Sequence, residues 1–295
     1  KAPWKLLSIQ GLDGSVTINN IVLQTGGSYS RTLDISNCGE NATVYLNDCQ
    51  IINNTHYPLF IGSDDVNVNI TGSGEEGKKS ELRGYCAIRI EADNASINVT
   101  DTRLIGNNTY SGASSSYCTI MVNNECSANI TLENTDVTSI YENDVPGYQY
   151  AFYFYDGATG SVDIKNNVTF TTLNGETPAD TYFGAGDAVA IFNGTLKGKV
   201  EATKVDNAQT FSITGYDGNS LNGLKVDGDA ISGGAKCNIS VSNIKTANAG
   251  ILVSNAGSVN IENCTFISNS ANIGGALNGC IAVTNCTFIG NSATE

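Results

Sequence analysis

The chain has 295 residues, and its 29 acidic and 15 basic side chains give it a formal net charge of −14 at pH 7. This acidity argues against nucleic acid or an anionic membrane surface as a partner, because like charges repel. It suits a soluble monomer and leaves room for a Ca2+ ion, although no cofactor is predicted and any metal ligands are unknown. No apolar run approaches the roughly 20 residues that span a bilayer, so we expect no membrane insertion of this segment.

The composition favours strands and turns over helices. Only 15% of the residues are charged, and 32 Gly stand against 4 Pro, so the polar content comes from Asn, Thr, Ser and Gly. Long helices would need more Ala, Leu, Lys and Glu. An all-β protein rich in turns is therefore expected.

Pairs of alternating apolar residues, each followed by Asn or Asp in most copies, recur along the chain. In chain order the pairs are Val44/Leu46, Ile97/Val99, Ile130/Leu132, Val162/Ile164, Ile239/Val241, Val259/Ile261 and Ile281/Val283. Strict alternation is typical of a half-buried strand. The residue after the pair (Asp101, Asn134, Asn243, Asn263 and Asn285) suits a tight turn, because Asn and Asp tolerate left-handed backbone.

Two further short elements accompany most of these units. A second alternating pair lies upstream, at Leu33/Ile35, Leu59/Ile61, Ile88/Ile90, Ile120/Val122, Phe152/Phe154, Val189/Ile191 and Ile251/Val253. A third element follows the turn as an apolar pair, one residue and Asn, at 51–54, 104–107, 266–269 and 288–291. Three short strands per repeat predict a single-stranded, right-handed parallel β-helix, a pectate-lyase-like solenoid, because an α-solenoid would need a 3.6-residue pattern.

We expect one β-helix domain over residues 1–295, a fragment of a longer surface protein. Residues 196–237 follow the repeat poorly, so they are expected to form an irregular coil or an inserted loop. The last coil is expected to lack a polar cap, which a complete solenoid would need.

The C-terminal repeats carry a recognisable signature. The segment FISNSANIGGAL (266–277) joins an F-x-x-N motif to Gly-Gly-Ala, and 288–291 repeats F-x-x-N. This resembles the repeat of chlamydial polymorphic outer-membrane proteins and of adhesin-like surface proteins of gut bacteria and methanogenic archaea. The resemblance implies a secreted, extracellular or cell-surface passenger or adhesin domain, and it carries over no catalytic residues.

Insertions lengthen the repeat in the first half of the chain. They fall after the third strand of successive coils, at 72–84, 106–117, 138–149 and 172–187. Insertions at equivalent places project from one edge and stack into a wall, which could bind a ligand. Neutral drift of surface loops is the alternative, because such loops tolerate insertion at little energetic cost.

A group of tyrosines lies within and just after the third of these insertions. If Phe152 and Phe154 point inward, Tyr153 and Tyr155 point outward, with Arg89 at the equivalent outward position of a neighbouring coil. The predicted ligand-binding residues are Tyr141, Tyr148, Tyr153, Tyr155 and Arg89. Stacking of these tyrosines on a sugar is one interpretation, and packing against an inserted loop is the other.

Acidic residues offer a second kind of site. Asp64 and Asp65 could serve as acid and base on a glycosidic bond. A turn-capping role fits them better, because the side chains of adjacent strand residues face opposite sides of the strand. The chain's one histidine, His56, precedes a Tyr-Pro turn. Arg89, Glu91, Asp93, Asp101 and Arg103 are the residue types of a calcium-dependent lyase, but opposite charges at this spacing usually pair with each other.

Nine cysteines do not predict a disulfide framework, since the number is odd and no C-x-x-C spacing indicates zinc. Cys264 and Cys286 are expected to stack one coil apart, within the Cα range that a disulfide bridges, and inward stacking as free thiols is the favoured state of the two. Cys86 matches Cys118 ahead of their strands.

Two function classes remain. The first is a non-enzymatic surface module that binds a glycan or a host surface protein through its inserted-loop face. The second is a β-helix polysaccharide lyase or glycoside hydrolase, which would need convergent acidic and basic side chains in a groove. No catalytic residue is assigned.

Overall fold

The structure is a computed structural model. It describes residues 4–26, 31–73, 80–108, 118–141, 150–155, 158–164, 168–174, 177–179, 181–185, 188–192, 200–205, 210–215, 220–221, 224–227, 238–254, 256–279 and 282–295. Throughout these ranges the regular elements are strands and the chain forms no helix.

Six coils of three strands each build the first part of the fold. Their strands are β1 (Lys5–Ile9), β2 (Ser15–Asn19), β3 (Val22–Thr25), β4 (Arg31–Ser36), β5 (Thr43–Asn47), β6 (Gln50–Asn53), β7 (Leu59–Gly62), β8 (Asn67–Thr71), β9 (Ser80–Gly84), β10 (Ile88–Ile90), β11 (Ala95–Thr100), β12 (Thr102–Asn108), β13 (Cys118–Val122), β14 (Ser127–Glu133), β15 (Asp136–Tyr141), β16 (Tyr150–Phe154), β17 (Thr159–Ile164) and β18 (Thr169–Asn174).

Shorter strands follow in the second part of the chain. They are β19 (Thr177–Ala179), β20 (Thr181–Ala185), β21 (Ala188–Phe192), β22 (Val200–Val205), β23 (Thr210–Gly215), β24 (Ser220–Leu221), β25 (Leu224–Asp227), β26 (Asn238–Ser242), β27 (Lys245–Ala247), β28 (Ile251–Ser254), β29 (Ser258–Glu262), β30 (Thr265–Ile267), β31 (Ser270–Ala271), β32 (Leu277–Asn278), β33 (Ala282–Thr284), β34 (Thr287–Ile289) and β35 (Ser292–Ala293).

Each strand of the regular coils pairs in parallel with its equivalent one coil later. Sheet A has the order β1-β4-β7-β10-β13-β16-β20-β21-β25-β28-β32, and sheet B the order β2-β5-β8-β11-β14-β17-β22-β23-β26-β29-β33. Sheet C has the order β19-β18-β15-β12-β9-β6-β3, and β24-β27-β30-β34 and β31-β35 form two smaller sheets. This is the predicted all-β parallel β-helix, with one strand of each coil in each of three sheets.

The chain reverses direction in the middle of the solenoid. Strand β21 is antiparallel to both β20 and β25, and β22 is antiparallel to both β17 and β23. Val189 and Ile191, which the repeat pattern places on a parallel strand, therefore lie on a reversed one. The poorly patterned range 196–237 contributes β22 and β23 to sheet B, β24 to a smaller sheet and β25 to sheet A.

Left-handed backbone ends the strands of sheet B, as predicted. The turn residues there with positive φ are Asn20 (54°), Asp48 (53°), Asp101 (50°), Asn134 (47°), Asn243 (56°), Asn263 (54°) and Asn285 (54°). Asn and Asp adopt this region at lower cost than other non-glycine residues, which explains the residue types at this corner. Several of the side chains also bond across coils, for example Asn285 Nδ2 to Asn263 Oδ1 at 2.7 Å.

Apolar side chains stack in columns inside the coil. One column of sheet A runs through Leu33, Leu59, Ile88, Ile120 and Phe152, which are register partners and fully buried. Burial of each such side chain contributes about 1.5–3 kcal/mol to folding. The core therefore consists of columns of apolar side chains that run from coil to coil. Each column continues because every strand it crosses repeats the two-residue alternation.

The C-terminal F-x-x-N motifs align from one coil to the next. The rings of Phe266 and Phe288 stack with centroids 4.9 Å apart and an interplanar angle of 10°. Asn291 accepts a bond from the Asn269 backbone N–H at 3.0 Å and donates to the Phe266 carbonyl at 3.0 Å. A Cβ on Gly275 would lie 1.9 Å from the Ser292 carbonyl oxygen, so only glycine fits this close approach.

Candidate functional site

A row of side chains crosses the outer face of sheet A. Asp34, Phe60, Arg89, Met121 and Tyr153 are register partners on five successive strands. Each alternates with inward residues on its own strand, so the row points away from the solenoid core. The predicted equivalence of Arg89 and Tyr153 is therefore confirmed, and Met121 occupies the same position on the strand between them.

A second hydrophobic cluster covers part of this row. We call it the outer cluster: Tyr57, Phe60, Tyr85, Cys86, Cys118 and Met121, with Tyr153 and Tyr155 packed against it. Tyr57 comes from the loop between β6 and β7, and Tyr85 from the loop between β9 and β10. The loops that return from sheet C to sheet A thus bury the middle of the face, and Phe60 and Met121 are buried although they lie outside the solenoid core.

Asn53 shapes the first of these covering loops. Its Oδ1 accepts bonds from the backbone N–H groups of Thr55 and His56, at 3.0 and 2.7 Å. Its Nδ2 donates to the Tyr57 carbonyl at 3.3 Å. An Asn side chain that bonds backbone groups two to four residues ahead fixes a turn, and this turn directs Tyr57 onto the sheet.

Arg89 is held from two sides. Its Nε donates to Glu91 Oε1 at 2.6 Å, and its Nη1 donates to the Tyr57 hydroxyl. Its guanidinium carbon lies 4.8 Å from the centroid of the Tyr57 ring. Burial alone would lower the pKa of Arg89, but Tyr57 and Glu91 outweigh it and raise the pKa, so the group stays charged. Its side chain is 20% exposed, which leaves a fixed cation at the surface.

A second cation lies on the same face two coils further toward the N-terminus, where Arg31 begins β4. The Arg31 guanidinium carbon is 3.2 Å from the centroid of the Phe60 ring, and Arg31 Nη1 donates to Asp34 Oδ2 at 2.7 Å. Lys5 and Ser36 complete the contacts of Asp34, at 2.6 and 2.7 Å. Burial would raise the pKa of Asp34, but these three hydrogen bonds outweigh it and hold the pKa below its ordinary value.

His56 stays neutral beside these cations. Its ring lies edge-on to Tyr57 at 4.0 Å and stacks at 6.1 Å on Tyr85, centroid to centroid. Burial, and then the charges of Arg89 and Arg31, lower the pKa of His56 to about 4. At neutral pH, His56 is therefore an uncharged aromatic ring that packs against Tyr57 and Tyr85.

Tyr153 and Tyr155 form the edge of the outer cluster. Both side chains are half-buried, and their rings meet edge-to-face with centroids 4.7 Å apart. The backbone N–H of Tyr155 donates to the Val122 carbonyl at 3.0 Å, which holds the pair beside β13. Tyr153 and Tyr155 therefore pack partly against the outer cluster and are partly exposed to solvent.

The structure brings three of the five predicted binding residues onto one face. Arg89, Tyr153 and Tyr155 lie on the outer side of sheet A, with Met121 between Arg89 and Tyr153 in the row. Tyr141 ends β15 in sheet C, where its register partners are Asn108 and Asn174. Tyr148 lies outside the described residues, as do the central parts of the predicted insertions 72–84, 106–117 and 138–149. The predicted insertion 172–187 instead contains β19 of sheet C and β20 of sheet A.

Asp64 and Asp65 form a turn. Asp65 has φ 54°, and its Oδ1 accepts a bond from Asn94 Nδ2 at 2.7 Å. Asp64 Oδ1 accepts from the backbone N–H of Asp93 at 2.7 Å. The turn-capping interpretation therefore describes these residues. The described ranges contain no group of three or more His, Cys, Asp or Glu side chains that could hold a metal ion.

Comparisons with known proteins do not identify a family for the chain. No model of a protein family matches it, and neither a curated protein nor a solved structure does. Among the residues that the structure describes, no helix is long and apolar enough to cross a bilayer.

Sequence reasoning missed two parts of the outer cluster: the covering residues Tyr57 and Tyr85, and the outward-pointing Phe60, which is buried on the outer face. The missed signal was a break in alternation: the segments 59–61 and 118–122 are buried at every position. A strand with apolar residues on both faces indicates that both faces are covered.

Proposed function

We propose that the chain is a non-enzymatic, surface-displayed module that binds a carbohydrate on the outer face of sheet A. The observation that carries the proposal is the partly exposed pair Tyr153 and Tyr155, of which Tyr153 lies in the same row as the fixed cation Arg89. Aromatic faces offer apolar contact to the C–H groups of a sugar, and a guanidinium offers several donors to its hydroxyl or carboxylate oxygens.

Rigidity of the surface supports this role. Tyr153 and Tyr155 pack against the outer cluster, which includes Met121, and Tyr57 and Glu91 hold the guanidinium of Arg89. A ligand that meets a preformed surface loses less free energy to the ordering of side chains. The resemblance of the C-terminal repeats to adhesin-like proteins supports display at the cell surface, with a glycan or a glycosylated host protein as partner.

The lyase or hydrolase alternative has weaker support. Asp64 and Asp65 accept bonds in a turn, Arg89 pairs with Glu91, and Arg103 lies 4.0 Å from Asp136. These groups contact their neighbours on the strands and turns, whereas an acid–base pair would converge on one bond of a substrate.

The test is a glycan-array screen of the purified chain, with Ca2+ and again with a chelator, followed by calorimetric titration of each hit. Tyr153→Ala, Tyr155→Ala and Arg89→Ala should each weaken binding about tenfold or more. Tyr45→Ala is the matched control, because Tyr45 is an exposed tyrosine on β5 of sheet B, and it should bind as the parent does.

Two outcomes would contradict the proposal. One is equal loss of binding in the Tyr45→Ala control. The other is release of reducing ends or unsaturated products from a bound polysaccharide, which would establish the enzymatic alternative.

A further inference from the structure

Cys86 and Cys118 face each other across neighbouring coils within the outer cluster. They lie two residues before Ile88 and Ile120, which are register partners on β10 and β13. Their Sγ atoms are 3.8 Å apart, and both residues are buried. Adjacent parallel strands lie about 4.8 Å apart, within the Cα separation of roughly 4.4–6.8 Å that a disulfide bridges. Both thiols also donate to backbone carbonyls, Cys86 to that of Cys118 at 2.6 Å and Cys118 to that of Ile120 at 2.9 Å, and a bond between the sulfur atoms would replace these contacts.

The other stacked pair is arranged differently. Cys264 Sγ donates to the Glu262 carbonyl at 3.3 Å, and Cys286 Sγ donates to the Thr284 carbonyl at 3.3 Å. Cys286 Sγ also accepts from the backbone N–H of Cys264, at 3.4 Å. Each thiol at this corner is thus directed at the backbone, as Cys49 is on an earlier coil. Stacking in successive coils therefore does not by itself bring two sulfur atoms into contact.

We infer that Cys86 and Cys118 are joined by a disulfide that ties two adjacent coils of the β-helix together. The oxidant is another disulfide, such as oxidised glutathione. One cysteine thiolate attacks it, forms a mixed disulfide and releases one reduced thiol. The second cysteine thiolate then attacks the protein sulfur of the mixed disulfide, which forms the Cys86–Cys118 bond and releases the second thiol. Each cysteine loses one proton, and both electrons leave on the two released thiols.

The exchange belongs to folding rather than to the folded state. Burial, and then the neighbouring Cys86, raise the pKa of the Cys118 thiol well above its ordinary value. The attacking species in thiol–disulfide exchange is the thiolate, so the bond forms before the coils close over these residues. Once formed, the bond is as buried as the thiols are, and a reductant reaches it only after local opening. The inference does not depend on the proposed carbohydrate site.

The experiment compares the full chain exported to an oxidising compartment, the bacterial periplasm, with the same chain made in the cytosol. Free thiols are alkylated in denaturant during lysis, so that buried cysteines react as well, and the protein is digested without reductant. Trypsin releases Cys86 in the peptide 84–89, and a protease that cleaves after glutamate separates Cys118 from Cys126 at Glu125. The expected result for the exported chain is a peptide pair that contains Cys86 and Cys118 and that separates on reduction.

Control variants assign the bond. In Cys86→Ser the Cys118 peptide should be recovered without a Cys86 partner, whereas Cys264→Ser should leave the linked pair intact. The exported chain should melt about 5–15 °C higher than the same protein after reduction, and Cys86→Ser/Cys118→Ser should show no such shift. Recovery of both cysteines in alkylated form from the exported chain, after alkylation in denaturant, would overturn the inference, and so would a bond from Cys86 to a different cysteine.

Discussion

The ammonium of Lys5 donates a 2.6 Å hydrogen bond to the carboxylate of Asp34 on the neighbouring strand of sheet A, and that carboxylate has no solvent-exposed surface. Arg31 and Ser36 supply its other two donors. A buried charge with three good donors is stable only while the donors and the charge are all present.

Asp34→Asn should therefore lower the free energy of unfolding by about 2–3 kcal/mol, because it leaves two cations without their counter-charge. The measurement is urea unfolding at pH 7, and Asp13→Asn, at an exposed position, is the control. The pKa of Asp34 is lower in the folded state than its ordinary 3.8, so its contribution is present above pH 3.8 and is lost as the pH falls below that value. A difference between variant and parent that persists unchanged at acid pH would contradict this assignment.

His56 should make the protein less stable in mild acid. Its pKa is about 4 in the folded state and 6.5 ordinarily, so between these values the unfolded chain binds a proton that the folded chain excludes. Stability is retained above pH 6.5 and is lost as the pH falls toward 4. Between pH 7 and pH 5 the parent should lose about 1–2 kcal/mol more than His56→Gln, which does not titrate. Parallel pH profiles of the two proteins in urea unfolding would show that His56 is not the cause.

The left-handed turn at Asp101 should tolerate glycine and reject valine. Asp101 has φ 50°, a conformation that costs a β-branched residue about 1–2 kcal/mol or more. Asp101→Val should lower the thermal midpoint clearly, and Asp101→Gly should change it little. Thr100→Val, one residue earlier on the extended strand β11, controls for the added apolar surface. If valine is destabilising at both positions, backbone conformation is not the reason.

Adjacent residues on β5 should differ sharply in their contribution to the core. Leu46 is fully buried, whereas Tyr45 is 39% exposed on the opposite face of the same strand. Leu46→Ala should cost about 2–5 kcal/mol of unfolding free energy, since it removes contacts and leaves a cavity, whereas Tyr45→Ala should cost far less. Chemical unfolding followed by circular dichroism measures both. Comparable losses would mean that the alternation does not separate an inner from an outer face.

The repeat is encoded locally, and this is why the sequence predicts it. Alternation at Leu33/Ile35 or Ile97/Val99 needs only the two-residue period of a strand, and Asp101 or Asn263 needs only its own tolerance of positive φ. Equal spacing of the repeats then sets the register of Arg89, Met121 and Tyr153. The reversal at β21 and β22 was not predictable in this way, because alternation is the same whichever direction a strand runs.

The sequence by itself thus determined the fold class, the three-strand coil, the turn chemistry and which residues of sheet A point outward. Only the tertiary structure decided what covers that outer face. Tyr57 and Cys118 are 61 positions apart along the chain, and the closing of successive coils brings them into the outer cluster, where Tyr57 also contacts Arg89. Such contacts depend on loop paths across three coils, and no local periodicity encodes a loop path.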